Sequence, residues 1–362
     1  RERGSMPIAL YIHIPFCVQK CAYCDFTSYP QRMDGLPVYL DGLHREIREA
    51  SARYDRPEVS SIFIGGGTPS LLSGDQMQAL MDELRRGFSV LPDAEISVEV
   101  NPGTLDAAKL IAYRRAGLNR LSMGVQAMQP DLLKMLGRIH RWQDAVEGVR
   151  MARAAGFENI NLDLMYALPG QTLGDWCETL RAAIQLAPEH ISAYSLIMES
   201  GTPLAEKVDL GELHEPDEDM AIEMQRMATQ MLGEAGLLRY EISNYAREGY
   251  ECRHNICYWT RGDYLGLGTA AHSLMRGERF ANSNDPESWD VVDRQTVTPE
   301  DAFEERVMLG TRMVRGIDMD GINPVAIGRL VALGLIETGA GMLRLTQKGM
   351  ELHNQVVLQL LS

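Results

Sequence analysis

Six short runs of strand character recur along the first 200 residues, and they limit the fold more than any other feature. They are IALYIHI (8–14), VSSIFI (59–64), EISVEV (95–100), LNRLSMG (118–124), NINLDLMY (159–166) and HISAYSLI (190–197). Helical periods lie between them. Trp142, Val146, Val149 and Ala152 mark one face of a helix that stops at Gly156, and SGDQMQALMDELRRGF opens with a Ser/Asp start signal. Alternation of this kind means parallel strands joined by right-handed crossovers. Six such units curl into a partial barrel or lie flat as a doubly wound sheet. In both, ligands collect at the C-terminal ends of the strands. Three cysteines follow the first run there, GGGTPS follows the second, and PG follows the fifth.

Beyond residue 200 the pattern changes. HEPDEDMAIEMQRMATQMLGEAG reads as a helix whose methionine stripe is core packing. Residues 238–290 read as irregular and rich in Gly, Asn, Tyr and Trp. From about 298, two helices, a short hairpin and a last helix resemble a winged helix. The expected division is a core over 6–235, an irregular extension over 236–297 and a small helical domain over 298–362. RERGS before Met6 reads as a tag remnant. Lys and Arg number 35 against 50 Asp and Glu, a net charge of −15. That charge argues against a nucleic-acid surface, which needs a basic patch. No apolar run approaches the eighteen or so residues that cross a bilayer. The N-terminus has no apolar signal core, so six cysteines point to a reducing compartment, and the expected location is cytoplasmic.

Cys17, Cys21 and Cys24 fall within YIHIPFCVQKCAYCDF, and Phe26 stands where a further thiol would be expected. Four thiolates would close a tetrahedral zinc site or saturate a four-iron cube. Three leave one iron of a cubane open for a small ligand. Zinc is the alternative. It would need a fourth ligand such as Asp25 or His13, and C-x3-C-x2-C before an aromatic is not a usual structural-zinc spacing.

At these residues the chain resembles the radical S-adenosylmethionine (SAM) superfamily, whose core is a partial (β/α)6 barrel. The resemblance implies a [4Fe-4S] cluster on Cys17, Cys21 and Cys24, whose open iron chelates SAM. YIHIPFC, GGGTPS, VEVNP, GVQ…GR, NLDLMYALPGQT and YEISNYA together resemble the branch of oxygen-independent coproporphyrinogen oxidase, from about residue 8 to the C-terminus. Carried over by position, Tyr11 lies near the cluster and SAM. Gly66, Gly67 and Thr68 bring backbone to the methionine amino group, and Glu99 holds the ribose hydroxyls. Gln126, Arg138 and Asp163 complete the SAM site, with Ser195 and His272 aligning more loosely. Independently of any family, a glycine run lets backbone approach a ligand closely.

Two departures separate the chain from the oxidase: Phe26 replaces a fourth cysteine, and the cluster motif begins only eleven residues beyond Met6. The heme-chaperone group of the branch is more similar, through H-N-x-x-Y-W, here His254, Asn255, Tyr258 and Trp259. That likeness implies heme binding, with His254 as iron ligand or close contact, and delivery to client hemoproteins such as respiratory-chain enzymes. A neutral imidazole is a good axial ligand, and Tyr and Trp offer flat faces with hydrogen-bonding tips. The same residues equally suit a segment stitched onto the barrel mouth. Cys252, Cys257 and Cys177 read as buried thiols. Three other functions stay open: a radical enzyme acting on a porphyrin, a carbon methyltransferase, and an iron–sulfur protein whose tail mediates association. Peripheral contact with a membrane-bound client is compatible with the sequence, although no anchor is visible.

Overall fold

The computed structural model describes residues 6–30, 32–215 and 217–362. RERGS lies outside them. All six expected runs are strands: β1 (Ile8–Ile14), β2 (Glu58–Gly66), β3 (Ser89–Val100), β4 (Arg120–Gln126), β5 (Asn159–Tyr166) and β6 (His190–Ser195). Each pairs in parallel with the next, in chain order. The principal helices between them are α1 (Leu36–Tyr54), α2 (Gly74–Gly87), α3 (Ala107–Arg115), α4 (Trp142–Ala154) and α5 (Leu173–Gln185), and α6 (Glu218–Glu234) follows β6. The start signal of α2 is a capping box: Ser73 Oγ accepts from Gln76 N, and Gln76 Oε1 from Ser73 N. On α4 the buried face is Ala145, Gly148, Val149 and Ala152, while Val146 turns outward, one position off the expected stripe.

Side chains alternate sharply across the sheet. Ile8, Leu10, Ile12 and Ile14 of β1 join Ile96 and Val98 of β3 and Ile160, Leu162 and Leu164 of β5 in one apolar cluster with the helices. Each such side chain contributes about 1.5–3 kcal/mol by leaving water. The other face is polar: Tyr11 and His13, then Glu95, Ser97 and Glu99, then Asn161 and Asp163. Parallel strands buried on both faces usually read as unbroken apolar runs, so this alternation marks a sheet curved around a hydrophilic interior. Asn161 Nδ2 donates to Asp163 Oδ1 at 2.8 Å and to Ser122 Oγ at 2.7 Å, and Asn161 Oδ1 meets His190 Nδ1 at 2.6 Å.

Residues 236–297, expected as irregular, instead extend both edges of the sheet. β7 (Leu238–Arg239) and β8 (Asn244–Ala246) add antiparallel beyond β6. α7 (Arg253–Trp259) then crosses toward β2. β9 (Tyr264–Leu267) pairs parallel with β1, and β10 (His272–Met275), β11 (Glu278–Asn282) and β12 (Val291–Thr296) continue antiparallel from it.

The C-terminal segment contains α8 (Pro299–Gly310), β13 (Ile317–Asp318), α9 (Pro324–Ala332), the hairpin β14 (Ile336–Gly339) and β15 (Met342–Leu345), α10 (Gln347–Glu351) and α11 (His353–Leu360). It has its own apolar cluster around Val307, Leu330, Leu343 and Val356. Ion pairs fasten it to the rest, including Arg226–Glu351 at 2.8 Å and Arg312–Glu241 at 3.0 Å.

Candidate functional site

The C-terminal ends of the six parallel strands meet around one cavity of about 360 Å³. Cys17, Cys21 and Cys24 enter it after β1. Gly66, Gly67 and Thr68 follow β2, Glu99 and Asn101 close β3, Gln126 ends β4, and Asp163 and Tyr194 come from β5 and β6. The glycine loop is stitched to the cysteine segment: Gly67 N donates to Ile14 O at 2.8 Å, and Thr68 N to Phe16 O at 2.7 Å. A Cβ on Gly67 would stand 2.6 Å from Phe16 O and 2.8 Å from Cys17 Sγ. Gly66, at φ +118°, occupies a conformation that suits glycine, and its N–H donates to Glu99 Oε2 at 3.0 Å. The N–H donors of Gly66, Gly67 and Thr68 are thus spent internally.

Six thiols are free, among them the three of this cavity. Burial pushes the Cys17 thiol up and the Cys24 thiol to about 11. Arg138 points Nη1 at Cys21 Sγ, 3.5 Å away, and is itself fixed on Asn101 Oδ1 at 2.6 Å and Gly124 O at 2.5 Å. Among the described residues no three His, Cys, Asp or Glu side chains converge as ligands of a single ion. Three thiols line one cavity, the donor set that three corners of a cubane need. His13 is also spoken for, with Nδ1 on Tyr11 Oη and Nε2 on Thr27 O, each at 2.9 Å. A [4Fe-4S] cluster held by Cys17, Cys21 and Cys24 would supply one-electron chemistry.

Two half-buried carboxylates, Glu99 and Asp163, face the same space. Burial first, and then the nearby Asp163, push Glu99 up to about 8, partly offset by the Gly66 N–H. Burial also raises Asp163, against hydrogen bonds from Asn161 and Ser122 and the charge of Arg120. Such acceptors suit a ligand that brings hydroxyl and ammonium donors. Gln126 is left-handed at φ +68° without being glycine, at a register shift between β4 and β5. The bulge turns its side chain into the cavity.

A second cavity of about 770 Å³ adjoins the first, and Phe26, Gly66 and Glu99 line both. Its further walls include Tyr11, Tyr258, Trp259, Tyr264, His272 and Arg279. Tyr258 and Tyr264 meet edge to face at 4.6 Å.

The structure therefore gathers Cys17, Cys21, Cys24, Gly66, Gly67, Thr68, Glu99, Gln126, Arg138 and Asp163 in the first cavity. Tyr11, Tyr258, Trp259 and His272 lie in the second, and Asn255 lines neither. Ser195 is exposed on the outward side of β6, because side chains alternate and His190, Ser192 and Tyr194 share the inner face. That period was the signal for Tyr194, which sequence reasoning missed along with Asn101 and Arg279.

His254, expected as iron ligand or close heme contact, is buried here. Its imidazole is only 1% exposed, with Nδ1 on Ser61 Oγ at 3.0 Å and Nε2 on Tyr258 Oη at 2.8 Å. Its backbone N–H donates to Glu95 Oε1 at 3.1 Å, and burial holds its pKa down at about 3. Both ring nitrogens are engaged with hydroxyl groups in this arrangement.

The superfamily model "Radical SAM superfamily" matches residues 11–183. The solved structure of coproporphyrinogen III oxidase (HemN) from Escherichia coli, described as a radical SAM enzyme, overlays 99% of this chain and 90% of its own with a TM-score of 0.85. At 24% identity that likeness concerns the fold. Strand order and a thiol-lined mouth thus define a radical SAM protein. The heme chaperone HemW of Bacillus subtilis is 38% identical, over 96% of this chain and 97% of the relative. That of Mycobacterium tuberculosis H37Rv is 36% identical over 99% and 95%, and that of Escherichia coli K12 44% identical over 74% and 70%. The chain belongs to the HemW heme chaperone family.

Proposed function

We propose that this chain binds heme beside a [4Fe-4S] cluster and SAM and passes the heme to client hemoproteins, respiratory-chain enzymes among them. The observation that carries the reading is the pair of adjoining cavities. One has three thiols and two half-buried carboxylates. The other is larger, aromatic and of a size typical of cofactor sites, about 300–1,000 Å³. Cys17, Cys21 and Cys24 hold the cluster. The loop of Gly66, Gly67 and Thr68, with Glu99, Gln126, Arg138 and Asp163, holds SAM. Six free thiols suit a cytoplasmic setting. No helix among the described residues is long and apolar enough to cross a membrane, so contact with a membrane-bound client would be peripheral.

The test is anaerobic titration of reconstituted protein with heme, followed by mixing with an apo-hemoprotein. Saturable binding with a defined Soret band, and loss of that band as the acceptor gains heme, are expected. Unsaturable binding with no transfer would refute the reading. Measuring deoxyadenosine and porphyrin products in the same incubation, with SAM and reductant, separates delivery from enzymatic turnover of the tetrapyrrole.

A further inference from the structure

Two histidines line the larger cavity, His13 and His272. His13 has committed both ring nitrogens, to Tyr11 and Thr27. His272 starts β10 on the extended edge of the sheet; its side chain is exposed, and no group among the described residues hydrogen-bonds its ring. It is the histidine of this cavity with a lone pair to give.

The charges on the walls complement a dianionic, flat ligand. Arg261 Nε and Arg279 Nη1 both grip the single carboxylate of Glu305, at 2.7 and 2.6 Å. Two guanidinium groups on one carboxylate leave a surplus positive charge at the cavity wall. The lining carboxylates are Asp25, on the cysteine loop, and Glu99, on the wall shared with the first cavity, and Asp301 acts on Arg279 from α8. The indole N–H of Trp259 is buried without a hydrogen-bond partner, and Arg312 covers its ring at 4.3 Å. An unpaired donor and a cationic surplus suit propionates, while Tyr258 and Tyr264 offer apolar ring surface.

We propose that heme occupies this second cavity with its iron on His272 and its propionates toward Arg261 and Arg279. His254 is then a positioning residue: through Nε2 it fixes the hydroxyl of Tyr258, and Tyr258 carries the contact to the cavity. The assignment rests on the heme-carrier reading. It goes beyond it by moving the iron ligand from the H-N-x-x-Y-W helix to the start of β10, an inner strand of the extended sheet. It also places the heme against Glu99 and Phe26, the wall shared with the cluster cavity, so the two occupants would be neighbours.

The test compares ferric-heme absorption and electron paramagnetic resonance spectra of wild type, His272→Ala, His254→Gln and Arg279→Gln. Because the His272 side chain is exposed at the start of its strand, its alanine variant should fold as wild type does, which circular dichroism checks. His272→Ala is expected to lose the imidazole-ligated signature and to weaken heme binding at least about tenfold, with added imidazole restoring the signature. Arg279→Gln is expected to weaken binding with the ligand signature unchanged. His254→Gln is expected to lower the melting temperature yet keep the signature. An unaltered signature in His272→Ala would overturn this assignment alone. Absence of any saturable heme binding by wild type would overturn the carrier reading and the assignment together.

Discussion

Gly67→Ala probes the junction on which the cluster loop depends. The new Cβ would lie 2.6 Å from Phe16 O and 2.8 Å from Cys17 Sγ, where ordinary contact begins at 3.4 Å. The strands must part by about 0.8 Å to reach that separation. They are poorly placed to do so, since the hydrogen bonds Gly67 N to Ile14 O and Thr68 N to Phe16 O lie on either side of the clash. Relief comes from stretching one of them, worth about 0.5–1.5 kcal/mol, within an overpacking cost of about 1–3 kcal/mol. For a chain of this size that is a fall of several degrees in melting temperature. The larger effect is expected on the cluster, because the atom displaced is one of the three proposed sulfur donors. After anaerobic reconstitution, iron and sulfide content should fall severalfold. Gly103→Ala is the control: its Cβ would meet only His140 Cβ, at 3.9 Å, and should change neither quantity. Full cluster content and an unshifted melting temperature in Gly67→Ala would refute the reasoning.

Glu99 gives a pH dependence. Its pKa stands near 8 in the fold against an ordinary 4.5, so the stability its neutral form contributes is complete below pH 4.5 and lost as pH rises to 8. At about 1.4 kcal/mol per pKa unit, Glu99→Gln should flatten the fall in apoprotein stability between pH 5 and 9. Glu46, pushed up to about 7 by burial, titrates in the same window, so the difference between wild type and variant is what counts; parallel curves would sink the claim. Arg312→Met strips a partner from Glu241, which is fully buried and also accepts from Ser243 N and Asn244 Nδ2. A loss of about 3–5 kcal/mol in denaturant unfolding is expected, much of it recovered in the double variant with Glu241→Gln. An unchanged midpoint in the single variant would show that this ion pair does not hold the C-terminal segment.

The six parallel strands and the cysteine loop were legible because their signals are local: period-two alternation, a capping box, thiols with three and then two residues between them. What escaped was set at a distance. β9 finds β1 across some 250 residues, and β7 and β8 are two and three residues long, too short to show a period. His254 illustrates the limit at the level of chemistry. Residue type allowed an iron ligand or a structural histidine, and only the positions of Ser61, Glu95 and Tyr258 show that its hydrogen-bonding capacity is spent. Ser195 shows two signals in conflict: a positional match to the SAM site, and a strand period that puts it on the outer face of β6.

The most direct measurement is the electron paramagnetic resonance spectrum of the reduced, reconstituted protein with and without SAM. An iron corner left open by Cys17, Cys21 and Cys24 should give a four-iron signal that shifts when SAM is added and vanishes in the triple alanine variant. A spectrum indifferent to SAM, or a signal that survives loss of all three thiols, would contradict the account.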